Sequence, residues 1–142
     1  TVPQFPTIQG VTNKFGSTTY FEHERGVNKI NLNGTEEAIS CFVQSGDFDL
    51  PVEGDGQFLL NIRRFLPDFK NLTGNVSITL GTKDFPIAGN TTTVSFVVNS
   101  ATSKIDTRVR GRLANIKIEN SALNDNWRFG TFRADVAQDG MR

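Results

Sequence analysis

The sequence predicts an all-β fold, a two-layer antiparallel β-sandwich with an irregular N-terminal arm. Three observations lead there. Apolar and polar residues alternate with period two in many short segments. Thirteen glycines, together with frequent Ser, Thr and Asn, punctuate those segments at intervals of roughly ten residues. Helix signals are nearly absent. A chain of 142 residues is long enough to enclose one real core. The reading is therefore an extended arm over residues 1–35 and one sandwich domain over residues 36–142.

In the arm, Pro3, Pro6, Gly10, Gly16, Gly26 and Gly34 break any periodicity. The first strand is expected at Ile39 to Gln44. The second, Gln57 to Phe65, is apolar through its first half and charged after it, which suits a central strand emerging at a rim. Leu66-Pro67-Asp68-Phe69 follows as a corner, since Pro67 has no donor for a central ladder. In Asn75 to Lys83, Val76, Ile78 and Leu80 share one face and Asn75, Ser77 and Thr79 the other, the pattern of a sheet with one wet side. Thr92 to Asn99, Thr107 to Arg112, Ala114 to Asn120 and Arg128 to Val136 complete the set. Arg112-Leu113-Ala114 is so short a connection that its flanking segments read as one long bent strand, with a bulge at Gly111. Trp127 is expected to anchor this end of the sandwich.

Fifteen basic and fifteen acidic residues give a formal charge of zero, which argues against salt-driven binding of DNA or anionic lipid over the whole surface. Cys41 is the single cysteine, so no internal disulfide can form. No apolar run reaches the length of a membrane span and no secretory signal opens the chain, so a soluble, unexported protein is expected. His23 is the only histidine and lies between acids. With Cys41 it makes too small a soft-ligand set for zinc, and it is read as structural or solvated. A nucleophilic Cys41 paired with His23 is the chemical alternative to a small, buried, inert thiol. The acids of Asp47 to Asp55 lack the spacing of a calcium loop and read as turn chemistry. Glycosylation sequons at Asn33, Asn71, Asn75 and Asn90 are expected chance matches in a chain rich in Asn and Thr. No catalytic residue, metal ligand or cofactor site is assigned.

The chain's one basic concentration is Arg108, Arg110 and Arg112 with Arg128 and Arg133. Alternation lays guanidinium groups along one face of each strand, and interspersed acids favour ion pairing, within or between subunits, over nucleic-acid contact. Arg64-Phe65-Leu66-Pro67-Asp68-Phe69, Asp106-Thr107-Arg108-Val109-Arg110-Gly111-Arg112 and the closing Trp127-Arg128-Phe129-Gly130 with Arg133, Asp135, Asp139-Gly140 and Arg142 occur in this order. Together with Ser45 to Asp49 and Glu53 to Phe58 they resemble the C-terminal region of tail-associated structural proteins of short-tailed bacteriophages. That resemblance implies a virion component assembled in the host cytoplasm, part of a tail nozzle, tail tip or adaptor. Its implied partners are other copies in a ring and other tail or portal-associated proteins. Membrane has no part in it, and nucleic acid enters only as genome passing through the tail. Arg108, Arg110, Arg128 and Arg133 are then expected at a subunit boundary or bound to acids that lock the terminal strands. A carbohydrate- or receptor-binding β domain of a tail fibre or adhesin is the alternative. A cell-wall hydrolase using Glu22, Glu24 or Asp49 would need two carboxylates suitably spaced.

Overall fold

The computed structural model describes residues 26–30, 33–49 and 58–141. Most of the expected arm, with His23, Glu22 and Glu24, lies outside these residues. Among the described residues there is no helix, and eleven strands form: β1 (Asn28–Ile30), β2 (Glu36–Ala38), β3 (Cys41–Gln44), β4 (Phe58–Leu66), β5 (Phe69–Thr73), β6 (Val76–Lys83), β7 (Thr92–Val98), β8 (Ile105–Gly111), β9 (Leu113–Asn120), β10 (Asn126–Phe129) and β11 (Arg133–Met141). No helix among them is long and apolar enough to cross a membrane.

All pairings are antiparallel. A three-stranded sheet β11-β4-β8 and a four-stranded sheet β3-β9-β6-β7 form the main layers, flanked by two-stranded β10-β5 and by the hairpin β1-β2. One core lies between the layers. Leu60, Ile62 and Phe65 of β4 with Ile105 and Val109 of β8 meet Val76, Ile78 and Leu80 of β6, Val98 of β7, and Ala114, Ile116 and Ile118 of β9. On β6 the alternation expected from sequence holds, with Val76, Ile78 and Leu80 fully buried and Ser77 and Thr79 half-exposed. On the wet face Thr79 and Ser95 share a hydroxyl hydrogen bond of 3.0 Å across the β6–β7 ladder.

The corners change sheets. β4 runs down the middle of one sheet and, past Pro67, the chain continues as β5 in another. At Arg112 the chain passes from the three-stranded to the four-stranded sheet: Gly111 pairs with Leu60 and Leu113 with Lys83. The segment expected to be one long bent strand is two, β8 and β9, in different sheets, and Gly111 serves close packing in place of a bulge. A Cβ there would sit 2.5 Å from Cβ of Thr82, which is wholly buried. The Arg112 N–H fixes the bend by donating to the Lys83 carbonyl at 3.0 Å.

Three further expectations are corrected. Arg128 to Val136 is two strands, because the chain breaks at Gly130–Phe132 to deliver Phe132 into an aromatic stack with Phe65 (5.1 Å) and Phe48 (5.8 Å). No strand is expected between the Pro67 corner and Asn75, yet Phe69–Thr73 form β5, in which Asn71 takes a left-handed φ of 57° as the extra residue of a bulge. Cys41 lies on an exposed edge strand instead of inside. Its sulfur turns inward and donates to Asn120 Oδ1 (2.8 Å), which also accepts from the Trp127 indole (2.9 Å). Partial burial raises the thiol above its ordinary pKa, against the indole donor, and the nearby Asp125 carboxylate raises it further. A thiol held protonated is a poor nucleophile, and its proposed partner His23 lies outside the described residues. Trp127 packs edge-on to Phe69 at 5.9 Å, as an anchor should.

Asp47, the first acid of the run read as turn chemistry, ties a connector to the sandwich. It accepts from Lys83 Nζ at 2.8 Å and from the Asn115 side-chain amide at 2.9 Å. Asn115, buried in β9, also donates to Asn90 Oδ1 (2.9 Å) in the loop between β6 and β7. Hydrogen bonds from Lys83 and then Asn115 hold the Asp47 carboxyl below the ordinary carboxylate range. Because the folded-state pKa is the lower one, this stabilisation is complete above the unfolded-state value and is lost as pH falls through the folded one. Asp47→Asn is expected to cost about 1 kcal/mol near neutral pH and to flatten the fall of the thermal midpoint between about pH 5 and pH 2. Calorimetry across that range checks it.

Candidate assembly face

The four arginines singled out in the sequence do not form one ribbon. Arg108 and Arg110 lie on β8 in the three-stranded sheet, Arg128 on β10 in the two-stranded one, and Arg133 at the start of β11. All four are exposed.

Two of them close the fold. Arg110 Nε reaches Asp139 Oδ2 at 2.8 Å and its Nη2 donates to the Asp139 carbonyl at 3.1 Å. This contact spans the central strand at the level of Asn61, which pairs with Arg110 on one side and Ala137 on the other. Arg133 Nη2 lies 3.5 Å from Asp68 Oδ2. Asp68 does more. Its carbonyl accepts the Gly130 N–H at 2.8 Å and its Oδ2 the Thr131 N–H at 3.2 Å. A Cβ on Gly130 would fall 2.8 Å from Asp68 Oδ2, so the chain can only pass this close without a side chain. A third pair joins Arg64 Nε to Asp106 Oδ1 at 3.0 Å, and Asp106 also holds Lys104 at 3.0 Å. Lys104 and then Arg64 keep the Asp106 carboxyl below its ordinary pKa.

These contacts share a pattern. Apart from Asp106–Lys104, each joins two of the three motif segments: Arg64 of the first to Asp106 of the second, Arg110 of the second to Asp139 of the third, Asp68 of the first to Gly130, Thr131 and Arg133 of the third. Asp68, Arg64, Asp106 and Asp139 therefore matter as much as the arginines chosen from sequence. Their membership in the motifs was the available signal. Asp68→Ala is expected to lower stability by about 2 kcal/mol, since it strips an acceptor from both the Thr131 amide and a guanidinium. Hydrogen exchange of the Thr131 amide should rise in the same variant.

The other two, Arg108 and Arg128, have no acid partner among the described residues. Arg63 resembles them. It is the extra residue of β4 against β11, and β8 carries its own extra residue opposite. Two bulges at one level re-aim side chains outward. Arg63, Arg64 and Arg108 with Asn61, Asp106 and Thr107 line an open depression of about 600 Å³ on the outer face of the three-stranded sheet. Elsewhere several large apolar side chains are exposed. At the β6–β7 hairpin tip Ile87 is 100% exposed and Phe85 59%, and on the sheet edges Phe42 is 66% and Val97 68% exposed. No group of acids, histidines or cysteines among the described residues is placed to hold a metal. No family model and no curated protein matches the chain.

Proposed function

We propose that this chain is a structural protein of a bacteriophage virion, part of the tail as nozzle, tip or adaptor, working through contacts with copies of itself and with other tail proteins. The observation that carries the reading is the interlocking of the three motifs. The residues behind the resemblance to short-tailed phage tail proteins are partners in space, so the motif set is a device for fastening the last strands of a sandwich. A sandwich whose terminal strand is fastened by these contacts suits a subunit that must hold its shape within a ring. The arginines left over, Arg63, Arg108 and Arg128, stand on its outer faces as bidentate donors for carboxylates or backbone carbonyls of a neighbour. Arg110 and Arg133 have a different role, locking β11 from within.

This division gives opposite expectations for charge reversal. Arg108→Glu and Arg128→Glu should weaken ring formation by about tenfold each while the unfolding temperature stays within a few degrees. Arg110→Glu should lower the unfolding temperature itself. Unchanged assembly in both Arg108→Glu and Arg128→Glu would refute the assignment. A carbohydrate-binding domain of a tail fibre is the second reading. Its test is a glycan array, on which the proposed role gives no binding.

A further inference from the structure

We infer that the open edge of β3 in one copy pairs antiparallel with the open edge of β7 in the next, so that the four-stranded sheet continues from subunit to subunit. The inference rests on the ring reading above and names the surface that joins the ring.

The argument starts from polarity. In the order β3-β9-β6-β7 every neighbour is antiparallel, so with four strands the two edges run in opposite directions. A second copy placed beside β7 with its sheet continuing the first presents β3 antiparallel to β7 without being turned over. One contact of this heterologous kind, repeated around an axis, covers both edges of every subunit. A two-fold pairing of β7 with β7 leaves every β3 edge open.

Composition points the same way. Among the described residues neither β3 nor β7 has a strand on its outer side. Solitary proteins protect such edges with charges, prolines or bulges or keep them very short; β3 has four residues, but β7 runs for seven. Cys-Phe-Val-Gln in β3 and Thr-Thr-Val-Ser-Phe-Val-Val in β7 contain no charge and no proline, and β7 pairs with β6 over its whole length without a bulge. Pairing the two buries no charge. It covers Phe42 and Val97, both about two-thirds exposed, and Val43, 47% exposed. The donors are also aimed correctly. Ser45 N–H donates to the Ile116 carbonyl, and the alternation of an antiparallel ladder then turns the N–H groups of Cys41 and Val43 toward β9 and those of Phe42 and Gln44 toward the open edge.

That alternation supplies the experiment. Gln44→Pro deletes a donor on the open edge and none in the β3–β9 ladder, a placement that sheets tolerate. In the full chain, sedimentation velocity should show association weakened about tenfold or more, with thermal unfolding little changed. Disulfide trapping covers the case where the proline itself disturbs the fold. A chain carrying Cys41→Ser and Gln44→Cys is mixed with one carrying Cys41→Ser and, in turn, Thr93→Cys, Ser95→Cys or Val97→Cys. Cross-linking between unlike chains is expected for at least one of the three. Rings that form natively but give only like-chain links, or that are indifferent to Gln44→Pro, overturn the edge pairing and leave the ring reading standing. A native chain that is monomeric at every concentration overturns both.

Discussion

Phe65→Ala is expected to destabilise the protein by about 3–5 kcal/mol, a large share of the stability of a domain this size. Phe65 is fully buried at the end of β4, between the two layers. Its ring stacks on Phe132 at 5.1 Å, and Phe132 in turn meets Phe48 edge-on at 5.8 Å. Removing it leaves a cavity that a sheet cannot close, because β4 is held on both sides by β8 and β11. It also frees Phe132, the residue for which the chain leaves the strand between β10 and β11. Chemical denaturation should therefore show a lower midpoint, and hydrogen exchange should rise first in β11. Loss of less than about 1 kcal/mol would mean that the aromatic stack does not hold the terminal strand.

Gly111→Val carries the second large effect, about 3 kcal/mol, through overpacking. The sheet-switching corner brings the Gly111 backbone onto Thr82, itself fully buried, with no room for a Cβ. Neither side can retreat. Gly111 is paired with Leu60, and Thr82 with both Thr92 and Ala114. The variant should unfold at lower denaturant or accumulate as insoluble protein. A double variant with Thr82→Ala should recover part of the loss, since it removes the atoms that clash. Failure of that rescue would show that the strain lies in the corner's backbone.

Much of this architecture was legible in the residues. β6 alternates over most of its length and β7 and β9 over part of theirs, while β4 shows in its apolar first half, and burial of one face leaves an alternating segment a single register. Pro67 announced its corner because a missing donor cannot be hidden. The misses have physical causes too. β5 contains Asn71-Leu72-Thr73, whose Asn and Thr carry turn preferences, and pairing with β10 overrides them through a bulge. β1 and β2 are three residues each and draw on Asn28, Lys29, Glu36 and Glu37, with no alternation to detect. Residues 28–30 lay within the expected arm and instead pair in a hairpin that reaches Asn124 through Asn28. Gly130 broke the last segment for a reason written 62 positions earlier, at Asp68.

The arginine face was half legible. Alternation placed Arg108 and Arg110 outward correctly, but which acid each would meet depends on strand order. Asp139 is two strands away from Arg110 across β4. Arg63 went unnoticed because its outward aim comes from paired bulges, which no residue type in β4 or β8 signals. The open edges of β3 and β7 likewise become visible only once the sheet order is known.

The central claim is that this sandwich is built to join copies of itself, and the mass of the native full-length chain under non-denaturing conditions tests it most directly. Native mass spectrometry with electron microscopy of the same sample should give one closed multiple of the subunit mass and ring-shaped particles. A single-subunit mass persisting across the whole accessible concentration range, with no rings on the grid, would contradict it.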